Sequence, residues 1–187
     1  ASHPALKAAD YKLAVHLPSG RGVYTFCMCP GGEVINASSE SGGIAVNGMS
    51  ESRRDGANAN SALLVGVNPE DFEDDSVFAG CELQRKIEQK AYNIANGAVP
   101  VTTVGNFVFG KEILLGRVKP TVKPDCVLTD FSRIYPDFIV ESLKDGIKEM
   151  DKKISGFADF DAVITAPETR SSSPVRIVRK DTGESTA

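Results

Sequence analysis

Val23-Tyr24-Thr25-Phe26-Cys27-Met28-Cys29-Pro30-Gly31-Gly32 is the stretch on which the reading of this chain turns. Its first seven residues alternate as a strand does, with successive side chains on opposite faces. That parity groups Tyr24, Phe26 and Met28 on one face, the expected core face because it is the bulkier. Val23, Thr25, Cys27 and Cys29 share the other. Pro30-Gly31-Gly32 then has the composition of a turn.

Upstream, Tyr11 to His16 alternates as well and makes a hairpin partner through the turn at Pro18–Gly22. Downstream, Glu33 to Ser38 and Ile44 to Asn47 read as further short strands, separated by the turn Ser41-Gly42-Gly43. Four short strands joined by tight turns predict an antiparallel meander or a small barrel. Glu51 to Asn60 is polar and irregular. Ala62 to Val67 is a continuous apolar run, expected to be a strand buried on both faces.

The second half changes period. Leu83, Ile87, Ala91 and Ile94 predict a helix over Glu82 to Ala95, stopped by Asn96-Gly97. Ile139, Leu143, Ile147, Met150 and Ile154 predict a second, entered at Pro136 and ended by Gly156. Val99 to Pro124 reads as a long ordered loop or a short extended pairing. Phe160–Thr165 and Val175–Val178 read as final strands. The fold class is therefore α+β: an N-terminal antiparallel β meander or small barrel with two principal helices. A single domain over 1–187 is expected, with room for a helical lobe at about 80–157.

Composition narrows the function classes. The chain has 187 residues and a formal net charge of −4, so it lacks the basic footprint of a nucleic-acid binder. No apolar run approaches the roughly 20 residues of a membrane span, and no signal-peptide core follows Ala1-Ser2-His3-Pro4. A cytoplasmic setting with reduced thiols follows for Cys27, Cys29, Cys81 and Cys126. The abrupt start and the polar end, Lys180 to Ser185, read as those of a piece of a longer protein.

Cys27 and Cys29 stand two apart on a strand, with Cα atoms roughly 6.6 Å apart, the outer edge of disulfide geometry. They fit structural thiols near a ligand, or a redox-active or flavin-facing pair. Zinc needs more ligands than the scattered Cys81, Cys126, His3 and His16 offer, so no metal is expected. Gly105 to Lys111 imitates a phosphate loop, but Glu112 replaces the magnesium-binding hydroxyl and Phe107-Val108-Phe109 is too bulky for a cradle. No G-x-G-x-x-G follows a strand, so the chain has no dinucleotide-binding half of its own. Glu168-Thr169-Arg170 with Arg176 and Arg179 could hold an anionic group by bidentate hydrogen bonds, or form an exposed basic turn. Arg53, Arg54, Asn58 and Asn60 form a comparable polar group.

Together these blocks resemble a known family. His3-Pro4-x-Leu6, Ala8-Ala9-Asp10-Tyr11-Lys12-Leu13, and Tyr24 to Gly32 are similar to the uncharacterised bacterial FAD-dependent dehydrogenases often labelled NAD-utilising. Asn47-Gly48-Met49-Ser50, Asn58 to Leu63 and Glu168 to Arg176 continue the likeness in order. The resemblance implies a substrate-side or cap domain of a flavoprotein. FAD would be bound mainly by segments outside this chain, and NAD or NADP would be a further partner. It also implies partnership with the FAD-binding domain of the same protein and with a small-molecule substrate. Under it, Cys27 and Cys29 are the candidate reactive groups. Pro30, Gly31, Gly32, Asn47, Asn60, Glu168, Thr169, Arg170 and Arg176 are the candidates to face substrate or flavin. A non-catalytic module binding a small molecule or protein is the alternative.

Overall fold

The computed structural model describes residues 11–186; the His3-Pro4 and Ala8-Ala9-Asp10 blocks lie outside them. Its elements run β1 (Ala14–His16), β2 (Gly22–Asn36), β3 (Val46–Ser50), β4 (Asn58–Val65) and α1 (Ala79–Ile94). Then come β5 (Val99–Thr103), α2 (Val104–Phe109), β6 (Val122–Lys123), β7 (Cys126–Leu128), α3 (Asp137–Asp151) and β8 (Val163–Thr165). The class is α+β, with α1 and α3 as the two principal helices.

β2 organises the first sheet. β1, β3 and β4 pair with it antiparallel and β6 pairs with it parallel. The strands do not close into a barrel: among the described residues β4 pairs only with β2. A second sheet has the order β7-β5-β8, parallel at β7 and antiparallel at β8. One apolar core joins both layers, with Ile44 and Val46 from the first sheet, Val99 from the second, Ile87 from α1 and Ile147 from α3.

Two expectations for the opening stretch are corrected. Pro30-Gly31-Gly32 is not a turn; β2 runs through it to Asn36. The pairing with β4 shifts register between Phe26 and Cys29 and again between Cys29 and Gly32. Cys27 (φ 44°) and Gly31 (φ 57°) take left-handed backbone at these shifts. Bulges of this kind bend a strand and tolerate Pro, because the ladder is already interrupted there.

The facing is also reversed. Val23 and Thr25 are buried (0% and 1% exposed), whereas Tyr24 and Phe26 are 38% and 44% exposed. The reason is the close approach of α3. A methyl on Gly146 of α3 would stand 2.6 Å from Val23 Cγ1, so the helix crosses β2 where only small side chains fit between them.

Elsewhere the periodicities hold with shifted ends. α1 begins three residues before Glu82, and Asn96 and Gly97 both adopt positive φ after it. α3 buries Ile139, Ile147 and Met150 but ends at Asp151, before Ile154. Val99 to Pro124 is not one long loop: β5 is wholly buried and leads directly into α2. Val175–Val178 forms no strand and is exposed. In β4 only Ala62 is fully buried, so the run is not covered on both faces. The space left beside it is the cavity considered next.

Candidate functional site

A cavity of about 900 Å³ lies between β4 and the layer of helices. Leu63 and Val65 of β4 face Ile139, Leu143 and Ile147 of α3, and Phe107 and Phe131 contribute aromatic wall. Its polar groups include Asn60, Gln84, Tyr135, Glu168 and Thr169. Predominantly apolar walls with a few polar groups are the usual make-up of a small-molecule pocket.

Glu168 is placed by anchors on both sides. Before it, Ala166 and Pro167 are buried; Ala166 N–H donates to Pro100 O at 3.2 Å, and Val46 N–H donates to Pro167 O at 2.8 Å. After it, Thr169 Oγ1 donates to Glu88 Oε1. Arg170 forks onto Glu88, Nε to Oε1 at 2.6 Å and Nη2 to Oε2 at 2.7 Å, and Nη2 also reaches Glu40 Oε1 at 3.2 Å. Gln84 Nε2 adds a bond to Thr169 O at 2.6 Å. The Glu88 hydrogen bonds raise the Arg170 pKa above its ordinary value. Arg170 and Thr169 are thus engaged with the chain's own acid on α1, which itself is 3% exposed. Arg176 lies apart, on the exposed segment after Pro174.

The glycines serve the chain's own packing. A methyl on Gly31 would overlap the Arg54 carbonyl. One on Gly32 would come within 2.6 Å of Met49 O and 2.7 Å of Asn60 Nδ2. One on Gly48 would overlap Asn60 Oδ1 and lie 3.6 Å from Cys29 Sγ. Close backbone approach, which glycine alone permits, brings the loop after β3 against the bulged part of β2. Ser50 Oγ fixes that meeting by donating to Pro30 O at 2.8 Å, and Asn60 Nδ2 donates to Glu33 O at 3.2 Å. Asn47 alternates to the opposite face from Val46 and Gly48, which line the cavity, and is exposed.

Asn60 and Glu168 line the cavity, Gly32 lies against Asn60 and Cys29 against Gly48 behind that lining, and Asn47 and Arg176 lie outside it. Cys27 is exposed and Cys29 half-buried, and both are free thiols. Cys29 Sγ donates to Cys27 O at 3.3 Å. Burial pushes the Cys29 thiol pKa up, and the nearby Glu168 charge adds to the effect. A thiol so placed is protonated and a poor nucleophile. Among the described residues no group of His, Cys, Asp or Glu could hold a metal ion.

Tyr135 was not visible as a site residue from sequence, where Tyr135-Pro136 looks only like a helix entry. Burial, and then the Glu168 charge, push its phenol pKa up. Glu88 was missed as well; its one signal is a position beside Ile87, on the border of the apolar stripe of α1.

Burial also raises the Glu168 pKa. Its charged form is then the one the fold disfavours. Its stability contribution is fully present below the unfolded value of roughly 4.3 and is lost as pH rises through the higher folded value. Glu168→Gln is expected to melt higher than wild type at pH 8, with the gap closing toward pH 4. A lower melting point for the variant at pH 8 would mean that the carboxylate is a paired anion.

The segments match known proteins as follows. Residues 1–171 match the family described as "FAD-dependent protein, C-terminal domain-like". The chain belongs to this family. An uncharacterized protein of Clostridium beijerinckii is 46% identical over 188 residues, covering 98% of this chain and 35% of that protein. The chain thus spans about a third of that relative's length.

Membership of the FAD-dependent C-terminal domain-like family raises the question of where FAD would sit. β5 runs directly into α2, whose second residue is Gly105. Its amides are already committed: Val104 N–H to Ala162 O at 2.9 Å, Gly105 N–H to Phe160 O at 3.0 Å, and Asn106 N–H to Thr103 Oγ1 at 3.2 Å. Helix starts bind phosphate through free amides, so these residues do not fit the FAD pyrophosphate. No helix among the described residues is long and apolar enough to cross a membrane.

Proposed function

We propose that this domain is the substrate-side cap of an FAD-dependent oxidoreductase that uses NAD or NADP, and that its cavity receives the substrate. FAD is held mainly by segments outside this chain, on the FAD-binding domain of the same cytoplasmic protein. The observation that carries the reading is the 900 Å³ cavity with Glu168, Tyr135 and Asn60 among its polar groups. Family membership supports the flavin. The committed amides at the start of α2 support a cofactor bound elsewhere.

In this reading the chain's own residues bind and orient. The apolar walls exclude water from the bound molecule, which strengthens each polar contact made inside. Asn60 and Tyr135 offer neutral hydrogen-bonding groups, and Glu168 offers a carboxyl whose raised pKa keeps a proton available nearer neutrality. Cys29, half-buried with its thiol pKa pushed up, lies against Gly48 behind the lining, and Cys27 stands at the surface.

The test uses the protein together with its FAD-binding segments. FAD is expected to copurify and to be bleached by NADH or NADPH under anaerobic conditions. Bleaching is expected to persist in the double variant Cys27→Ser, Cys29→Ser. Loss of bleaching in that variant alone would assign the thiols a redox role. A colourless protein that binds a small molecule tightly by itself would replace the oxidoreductase reading with a binding module.

A further inference from the structure

The cavity's charge pattern narrows what it can hold. Among its described lining residues there is no Lys, Arg, Asp or His, and Glu168 is the one ionisable carboxyl. The chain's nearby cation, Arg170, is held on Glu88 and Glu40. An anion entering this space would lose its hydration, gain no counter-ion and meet Glu168, so the site rejects it.

Tyr135 supplies the second observation. Tyr135 is half-buried and lines the cavity, and no hydrogen bond joins its accessible hydroxyl to another described residue. A phenol O–H with no protein partner is free to donate to a group that enters the cavity. An unpartnered phenol donor at the wall of an apolar cavity fits a ligand's acceptor oxygen. Glu168 is close enough to act electrostatically on both Tyr135 and Cys29, so it belongs to the same polar end.

We infer that the cavity binds a neutral, mainly apolar molecule through a carbonyl oxygen that accepts a hydrogen bond from Tyr135 Oη. The inference rests on the cap-domain reading and names its substrate class. It also replaces the anionic substrate expected from Arg170 and Arg176 with a neutral one.

Four fluorescent probes of one size class test it on the purified protein. They are prodan (a neutral dimethylamino-naphthyl ketone), its trimethylammonium analogue, dimethylaminonaphthalene without the ketone, and anilinonaphthalene sulfonate. Prodan is expected to bind most tightly with blue-shifted emission. Tyr135→Phe is expected to weaken prodan about fivefold, the worth of one buried hydrogen bond. The same variant leaves the ketone-free probe unchanged, and Tyr92→Phe, on the exposed side of α1, leaves both unchanged. Melting curves of both variants check folding.

Tighter binding of the sulfonate or of the trimethylammonium probe overturns the inference, as does equal prodan binding by wild type and Tyr135→Phe. The two readings fail separately. A protein that carries flavin but prefers a charged probe loses only the ligand class. A protein that binds prodan through Tyr135 but never carries flavin loses the oxidoreductase reading and keeps the site.

Discussion

Gly31→Ala is expected to lower the melting temperature by about 10 °C, at roughly 2–4 °C per kcal/mol for a chain of this size. The new methyl has no space, because the Arg54 carbonyl lies against that side of Gly31. Overpacking of this kind costs about 1–3 kcal/mol, and a side chain at φ 57° adds about 1–2 kcal/mol. The total is about 3 kcal/mol, read from denaturant or thermal melts. The loss extends to the cavity, since displacing the Arg54 loop disturbs Ser50 and its bond to Pro30. Melting within 2 °C of wild type would sink the bulged-strand account and restore the turn.

Glu88→Ala is expected to cost about 2 kcal/mol, below the ~3–5 of a fully enclosed pair. Glu88 is buried, but the Arg170 side chain is 42% exposed and regains water when its partner is removed. The more telling effect is local. Thr169 and Arg170 lose their anchor, so trypsin is expected to cut after Arg170 in the variant and to spare wild type. Equal cleavage of both proteins would show that Glu88 does not hold the segment.

Much of the fold was legible. α1 and α3 announced themselves by apolar spacing, and Asn96-Gly97 marked a true stop. The α+β class followed from a β-rich first half and a helical second half. β2 was misread because two rules that normally agree came apart there. Pro-Gly-Gly signals a turn in an isolated peptide, but β4 and the Arg54 loop supply partners that hold it as bulged strand. Side-chain bulk suggests the core face, but α3 presents Gly146 to β2 and selects Val23. Both deciding residues lie far away in sequence, so no local window contains them. The stretch 175–178 has strand composition but only its end is paired, where Val178 O accepts from Thr186 N–H at 3.3 Å beside the isolated Arg179–Ser185 bridge.

The candidate site was legible in part. Asn60 and Glu168 were singled out and line the cavity, and Gly32 and Cys29 lie behind that lining. Arg170 was singled out for its charge, which the structure shows engaged by Glu88 and Glu40. Tyr135 carries no signal of its own, since a tyrosine before a helix is ordinary until the space beside it is known.

The double tether around Glu168 has a thermodynamic consequence. Pro167 is held by Val46 on one side, and Thr169 and Arg170 are held by Glu88 on the other. The backbone at Glu168 is therefore immobilised when the chain folds, not when a ligand arrives. Ordering costs that would otherwise be subtracted from affinity are met beforehand. Association at this wall should resemble a key entering a cut lock, with its specificity set by shape and hydrogen-bond direction rather than by rearrangement.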